Sequence, residues 1–170
     1  LASSPSLRHA ITQTLVIACR ESTQLLEDTL TREGLTPSVL RQQPNPQYRH
    51  HARSALVLLN HCKAWQQASE HDGLTLVVEA DFVPVQGMGA LPLPFHPDRC
   101  KLGMAWLYTC AAQIYSVSDV GHAHGFSAST VAYVISRQSA IALLSIEDSL
   151  GQNSDPTLYT AWECEFERYR

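Results

Sequence analysis

Hydrophobic and polar positions alternate between two patterns along the first half of the chain. TLVIAC (14–19) is an unbroken apolar and β-rich run, the mark of a strand covered on both faces. ESTQLLEDTLTREGL (21–35) switches to helical spacing, with Leu25, Leu26, Thr29 and Leu30 sharing a side and Gly34 placed as a C-cap. PSVLRQ (37–42) predicts a second short strand, and QQPNPQ, with its two prolines, a turn. RHHARSALVLLNHCKAWQQASE (49–70) is the clearest helix, because Ala55, Leu58, Leu59, Cys62 and Trp65 recur three or four residues apart. HDG closes it, and a third strand, LTLVVEAD, begins at Leu74. The order strand, helix, strand, helix, strand is that of an α/β fold with a mostly parallel sheet flanked by helices.

The second half is less regular. Residues 84–101 hold four prolines and two glycines, the composition of a loop; long loops in compact domains are often functional, and this one is expected to close over a bound ligand. MAWLYTCAAQIYSV (104–117) has the residues of strands and is expected to form a hairpin. GHAHGFSAST (121–130) is rich in turn residues, VAYVIS (131–136) predicts a strand, and RQSAIALLSIEDSL (137–150) a helix. A last helix over 157–169 would align Leu158, Trp162, Phe166 and Tyr169, and residues 1–12 read as a loose polar lead-in. No internal repeat or low-complexity tract interrupts the chain.

Composition narrows the picture. A chain of 170 residues, 45% hydrophobic, suits a single domain over 1–170 with a substantial core. The net charge is −4 and the 12 Lys and Arg are scattered, without the basic stripe a nucleic-acid binder needs. No apolar run reaches the roughly 18 residues of a transmembrane helix. Five cysteines, widely spaced and without a C-x-x-C pair, argue against both a disulfide framework and a cysteine zinc site. A reducing, cytoplasmic setting follows, peripheral to a membrane at most. Residue 1 is Leu, which suggests a trimmed piece of a longer chain.

The candidate chemistry sits at the end of the third strand. Glu79 and Asp81 follow a run that is otherwise apolar or β-branched, and ligands of open α/β sheets bind outside the carboxyl ends of the strands. Residues two apart on an extended chain point the same way, so both carboxylates are expected to face one pocket. Such a pair can hold a divalent cation that neutralises a diphosphate. The plainer alternative is that Asp81 caps a turn while Glu79 pairs with an arginine.

LNHCKAWQQASEHDGLTLVVEADFVP resembles the central motif of family 25 glycosyltransferases, the lipooligosaccharide sugar transferases and their collagen-modifying relatives. That family shows a Ser-His pair on a helix, a Trp four residues on, and an apolar strand ending in Glu-Asp-Asp; here these are Asn60-His61, Trp65 and Glu79-Ala80-Asp81. STVAYVISRQSAIALL is similar to its Thr-x-Ala-Tyr-x-x-Ser strand and following helix, through Thr130, Ala132, Tyr133 and Ser136. The likeness runs from about residue 14 to 150. It implies a GT-A-type fold and inverting transfer of a hexose from a UDP-sugar to a saccharide or glycolipid acceptor in cell-surface glycan (lipopolysaccharide) assembly. It implies Mn2+ on Glu79 and Asp81, with Arg20, His61 and Thr130 also at the donor. The sequence departs from the family at Ala80, at Asn60, in the thin basic loop CREST, and in lacking a clear Pro-x-Asp segment after the last matched helix. These departures leave open a degenerate binding or structural module.

Other residues carry alternatives. Arg20 can bind phosphate or stack on a base, or bridge to Glu21 or Asp28. His61 borders its helix's apolar stripe and can bond a backbone carbonyl or touch the ligand. Asp119 and Asp155 are the free acids for a general base on the acceptor hydroxyl. His122 and His124 can bind a metal if their loop is extended, but no third ligand follows at fixed spacing. No P-loop, dinucleotide glycine fingerprint or nucleophile elbow is present.

Overall fold

The computed structural model describes residues 5–43, 46, 53–95, 103–108, 114–117, 119, 123–125 and 129–150. In chain order the elements are α1 (Leu7–Ala10), β1 (Ile11–Ala18), α2 (Gln24–Arg32), β2 (Pro37–Arg41), α3 (Arg53–Glu70), β3 (Leu74–Glu79), a 3-10 turn at Met88–Ala90, β4 (Met104–Trp106), β5 (Ile114–Val117), β6 (Ala123–Gly125), β7 (Ala132–Ser136) and α4 (Arg137–Leu150). Five strands form one sheet in the order β2-β1-β3-β7-β4. β1 lies parallel to β2 and β3, and β7 runs antiparallel to both its neighbours, so four of the five strands share a direction. The fold is mixed α/β, as the alternating pattern predicts.

Two helical layers sandwich the sheet, and the side-chain alternation of the strands divides the core between them. On one face α1 and α2 pack Leu7, Leu26 and Leu30 against Val16, Leu76 and Val78. On the other, α3 and α4 set Leu58, Trp65, Ala140 and Leu143 against Leu15, Ile17, Val77 and Tyr133. Because both faces are covered, Leu74 to Val78 are all buried, which is why this strand reads as a continuous apolar run. β2 is an edge strand and begins at Pro37, where a missing N–H costs no ladder bond. The chain steps outward from β1 to β2, then back across β1 to β3, with α2 and α3 on opposite faces. The reversal of direction lies between β1 and β3.

α2 ends as Gly34 predicts. Gly34 takes φ +83°, its N–H bonds the Thr31 carbonyl at 3.0 Å, and Leu35 N–H reaches back to the Leu30 carbonyl at 3.0 Å. Leu35 then buries itself in the same core as Leu30.

Four expectations need correction. Residues 5–12 are not a loose lead-in: Leu7 is buried, and β1 starts at Ile11. Leu25 is 77% exposed, because the buried stripe of the short α2 narrows to Leu26 and Leu30. Residues 104–117 do not fold back on themselves: β4 joins the main sheet beside β7, while β5 pairs with β6 in a separate two-stranded sheet. The described part of the proline-rich loop is pinned rather than poised over a ligand. Gly87 and Gly89 donate to the Glu33 carboxylate at 2.8 and 2.9 Å, Leu7 N–H bonds the Leu91 carbonyl at 2.8 Å, and Leu93 N–H bonds the Pro5 carbonyl at 2.8 Å. These contacts hold it at the amino edge of the sheet, beside the end of α2 and the start of β1. Pro44, Asn45 and Gln47 of the QQPNPQ turn lie outside the described residues, as do residues 96–101 of this loop and the helix expected at 157–169.

Candidate functional site

A cavity of about 360 Å³ opens at the carboxyl edge of the sheet, where the chain reverses between β1 and β3. Ile17, Ala18 and Cys19 line it from the end of β1, Glu79, Ala80 and Asp81 from the end of β3, Gln42 from beyond β2, and Leu56, Val57 and Asn60 from the first half of α3. Glu21 completes the rim. Among the described residues, the charged lining groups are all acids: Glu21, Glu79 and Asp81.

Glu79 is the most constrained of the three. Strand alternation turns it toward α3, and its side chain is 23% exposed. Oε1 receives two donors, His61 Nε2 at 3.2 Å and Thr130 Oγ1 at 2.6 Å. No donor to Oε2 occurs among the described residues. Burial pushes the carboxyl pKa up, but the bonds from His61 and Thr130 outweigh it, and the net direction is below the ordinary carboxylate value. His61 is wholly buried and continues inward, with Nδ1 2.7 Å from the Tyr133 hydroxyl, which also takes the Trp65 indole N–H at 2.9 Å. So His61 bonds a hydroxyl and a carboxylate, not the backbone carbonyl expected of a structural histidine. Glu79 pairs with His61, not with an arginine.

Asp81 reaches the cavity differently from the way alternation predicts. β3 stops at Glu79, and the Phe82 N–H bonds the Glu79 carbonyl at 3.0 Å, so Ala80 and Asp81 occupy a turn. The two-residue rule for an extended chain does not apply there, yet the turn still leaves Asp81 on the lining. Its side chain is exposed and meets no protein partner among the described residues. Across the cavity, Glu21 accepts the Cys19 N–H at 2.6 Å. Backbone N–H groups, its own first and then that of Cys19, hold its pKa below the ordinary value.

The remaining expected site residues are placed unevenly. Arg20 is exposed on the loop after β1, between two lining residues but not itself lining; it bridges neither Glu21 nor Asp28 among the described residues. Among the described residues, a cation fixed in this corner is Arg41, at the end of β2, which donates to the Glu21 carbonyl at 3.0 Å and to Thr23 Oγ1 at 3.1 Å. Thr130 is beside the cavity, with its hydroxyl spent on Glu79. Asp119 is exposed in a turn and does not line the cavity. Asp155 and His122 lie outside the described residues, and His124 is on β6.

Sequence reasoning passed over Glu21, Gln42 and the amide function of Asn60. Asn60 Nδ2 donates to Gln42 Oε1 at 3.1 Å, which joins α3 to the end of β2 on the cavity wall. A polar residue just after each parallel strand was the available signal for the first two. No group of three His, Cys, Asp or Glu close enough to share a metal ion occurs among the described residues, and Cys19 and Cys62 form no disulfide. No helix of the described residues is long and apolar enough to cross a membrane. Set beside known proteins, the chain matches no protein-family model and no curated protein.

Proposed function

We propose that this chain is a nucleotide-sugar-dependent glycosyltransferase domain of the GT-A type, transferring a hexose from a UDP-sugar to a saccharide or glycolipid acceptor. The observation that carries the reading is the cavity at the carboxyl edge of β1 and β3, whose charged lining groups among the described residues are the acids Glu21, Glu79 and Asp81. These carboxylates repel a diphosphate at contact distance, and a cation held between them offsets that repulsion. Oε2 of Glu79 and the carboxylate of Asp81 offer hard oxygen donors of the kind Mn2+ accepts, so these residues fit the cation that the family resemblance implies. When bound, the cation would offset charge on the diphosphate. The protein would supply the rest: Glu79 held in one orientation by His61 and Thr130, Asn60 and Gln42 as adjacent amide groups for a polar ligand edge, and Arg20 on the loop between the lining residues Cys19 and Glu21. The assembly of cell-surface glycan remains the setting this reading assigns.

Titration calorimetry of UDP with and without Mn2+ tests it. Binding that requires Mn2+ and disappears in Asp81→Ala is the expected result. Binding unaffected by the metal and by that variant removes the role given to the two acids. A second reading, a module that keeps the fold without transfer, is favoured by one observation: Oε1 of Glu79 is already occupied twice from within the protein. It predicts UDP binding without sugar turnover, or none.

A further inference from the structure

The loop between β1 and α2 already holds an anion, and that anion belongs to the chain itself. Cys19, Arg20 and Glu21 bend away from the end of β1, and the Glu21 side chain folds back on them, with Oε2 accepting the Cys19 N–H at 2.6 Å. The N–H of Glu21 itself, then that of Cys19 and after it that of Arg20, hold the Glu21 carboxyl below the ordinary carboxylate range. Successive backbone donors in a turn are thus spent on one carboxylate. Consecutive N–H groups of this kind form anion-binding concavities, and phosphate is a common occupant of them.

The place is one a ligand can reach, since Cys19 and Glu21 both line the cavity at the carboxyl edge of the sheet. Glu21 is exposed, so its carboxylate can swing into water and be solvated there. The backbone of the loop does not depend on that side chain. Arg41 donates to the Glu21 carbonyl at 3.0 Å and to Thr23 Oγ1 at 3.1 Å, and the Gln42 N–H bonds the Ala18 carbonyl at 2.9 Å, so the loop stays tied to the end of β2 when the carboxylate leaves. Arg20 is exposed and pairs with no acid among the described residues, and Arg41 adds a second positive charge to the same corner. Both favour an oxyanion that carries more charge than a carboxylate. We infer that the Cys19–Glu21 loop is a binding site for a phosphate group, and that Glu21 is its built-in competitor, displaced when the phosphate arrives. Displacement also takes one of the three acids off the cavity, so the cavity becomes less negative as it fills. The site stands apart from the reading of Glu79 and Asp81 as cation ligands, and it serves any ligand that carries a phosphate.

Amide NMR on the 15N-labelled full chain tests this, with inorganic phosphate as the probe and no metal added. In Glu21→Ala the amides of Cys19 and Arg20 lose their acceptor. Phosphate should then shift both downfield, with an affinity about tenfold above that of the wild type, the factor that one hydrogen bond to a charged group is worth. Glu21→Gln keeps the side chain's length and weakens it as an acceptor, so it should gain in the same direction by less, and it decides the matter if the alanine variant does not fold. Asp81→Asn removes the same charge from the cavity without uncovering the loop, and should gain far less than Glu21→Ala. Uridine monophosphate in the same titration names the source: tighter binding than phosphate at the same amides assigns the site to a nucleotide's phosphate, and equal binding assigns it to the free anion. Phosphate that leaves the Cys19 and Arg20 amides of the Glu21 variants unmoved overturns the inference, and so does an Asp81→Asn protein that gains as much affinity as Glu21→Ala.

Discussion

Glu79 meets two opposing influences, burial that disfavours its charge and two hydrogen bonds that favour it, and the bonds prevail. Its folded-state pKa lies below the unfolded value, which for a glutamate is about 4.3. Ionised Glu79 therefore stabilises the fold above that value, and the contribution is lost as pH falls through the folded pKa. Glu79→Gln replaces charge-assisted bonds by neutral ones, so it should lower unfolding stability at pH 7 by about 1 kcal/mol. Urea unfolding at pH 7 and at pH 3 checks the sign: the gap from the wild type narrows at the lower pH. Thr130→Val removes one donor to the same oxygen, and should raise the Glu79 pKa toward its ordinary value in a carboxyl-carbon NMR titration. His61 was legible as a residue near a site, since it precedes Trp65 by one helical turn. Its real partners were not. Tyr133 is 72 residues away in sequence, and no local period records a contact at that distance.

The elements divide in the same way between those that local chemistry specifies and those that depend on distant partners. α2 is of the first kind: Leu26 and Leu30 supply the buried stripe, and Gly34 supplies the left-handed residue. Gly34→Ala should cost about 1–2 kcal/mol, because a side chain at positive φ crowds the following carbonyl. β3 is also legible, as an apolar run between HDG and two acids. Leu76→Ala at its fully buried centre should cost about 2–5 kcal/mol, read as a lower midpoint of urea unfolding with an unchanged slope. The pairing of β5 with β6, rather than with β4, belongs to the second kind. Short strands carry too little pattern to choose among neighbours, and the choice is made by β7, which takes β4 into the main sheet.

For the whole molecule, the two edges of the sheet have different tasks. The carboxyl edge is open and acidic, whereas the amino edge is closed by the segment from Gly87 to Leu93. Glu33 makes that closure sensitive to acid. The N–H groups of Gly89 and then Gly87 hold its pKa below the ordinary carboxylate value, so the attachment persists through the ordinary carboxylate range and is released further down. Hydrogen exchange should find the Gly87 and Gly89 amides protected at neutral pH and exposed in Glu33→Ala, with the protection of β3 unchanged. Gly89 has little alternative there, since a side-chain carbon at this position would collide with the backbone carbonyl of Glu33.

The bonds from Pro5 and Leu7 to residues 91–93 join the start of the described chain to its middle. Contacts so far apart in sequence form only after the intervening strands and helices have shortened the path between their ends. During synthesis, a chain that stops short of Leu91 has β1, β2 and β3 in hand but cannot complete the cover over Leu7, Ile11 and Leu74. The order in which the molecule assembles is thus written into a short stretch that has no regular secondary structure beyond one 3-10 turn: the first strand in the sequence waits for a piece of its own wall that comes after β3.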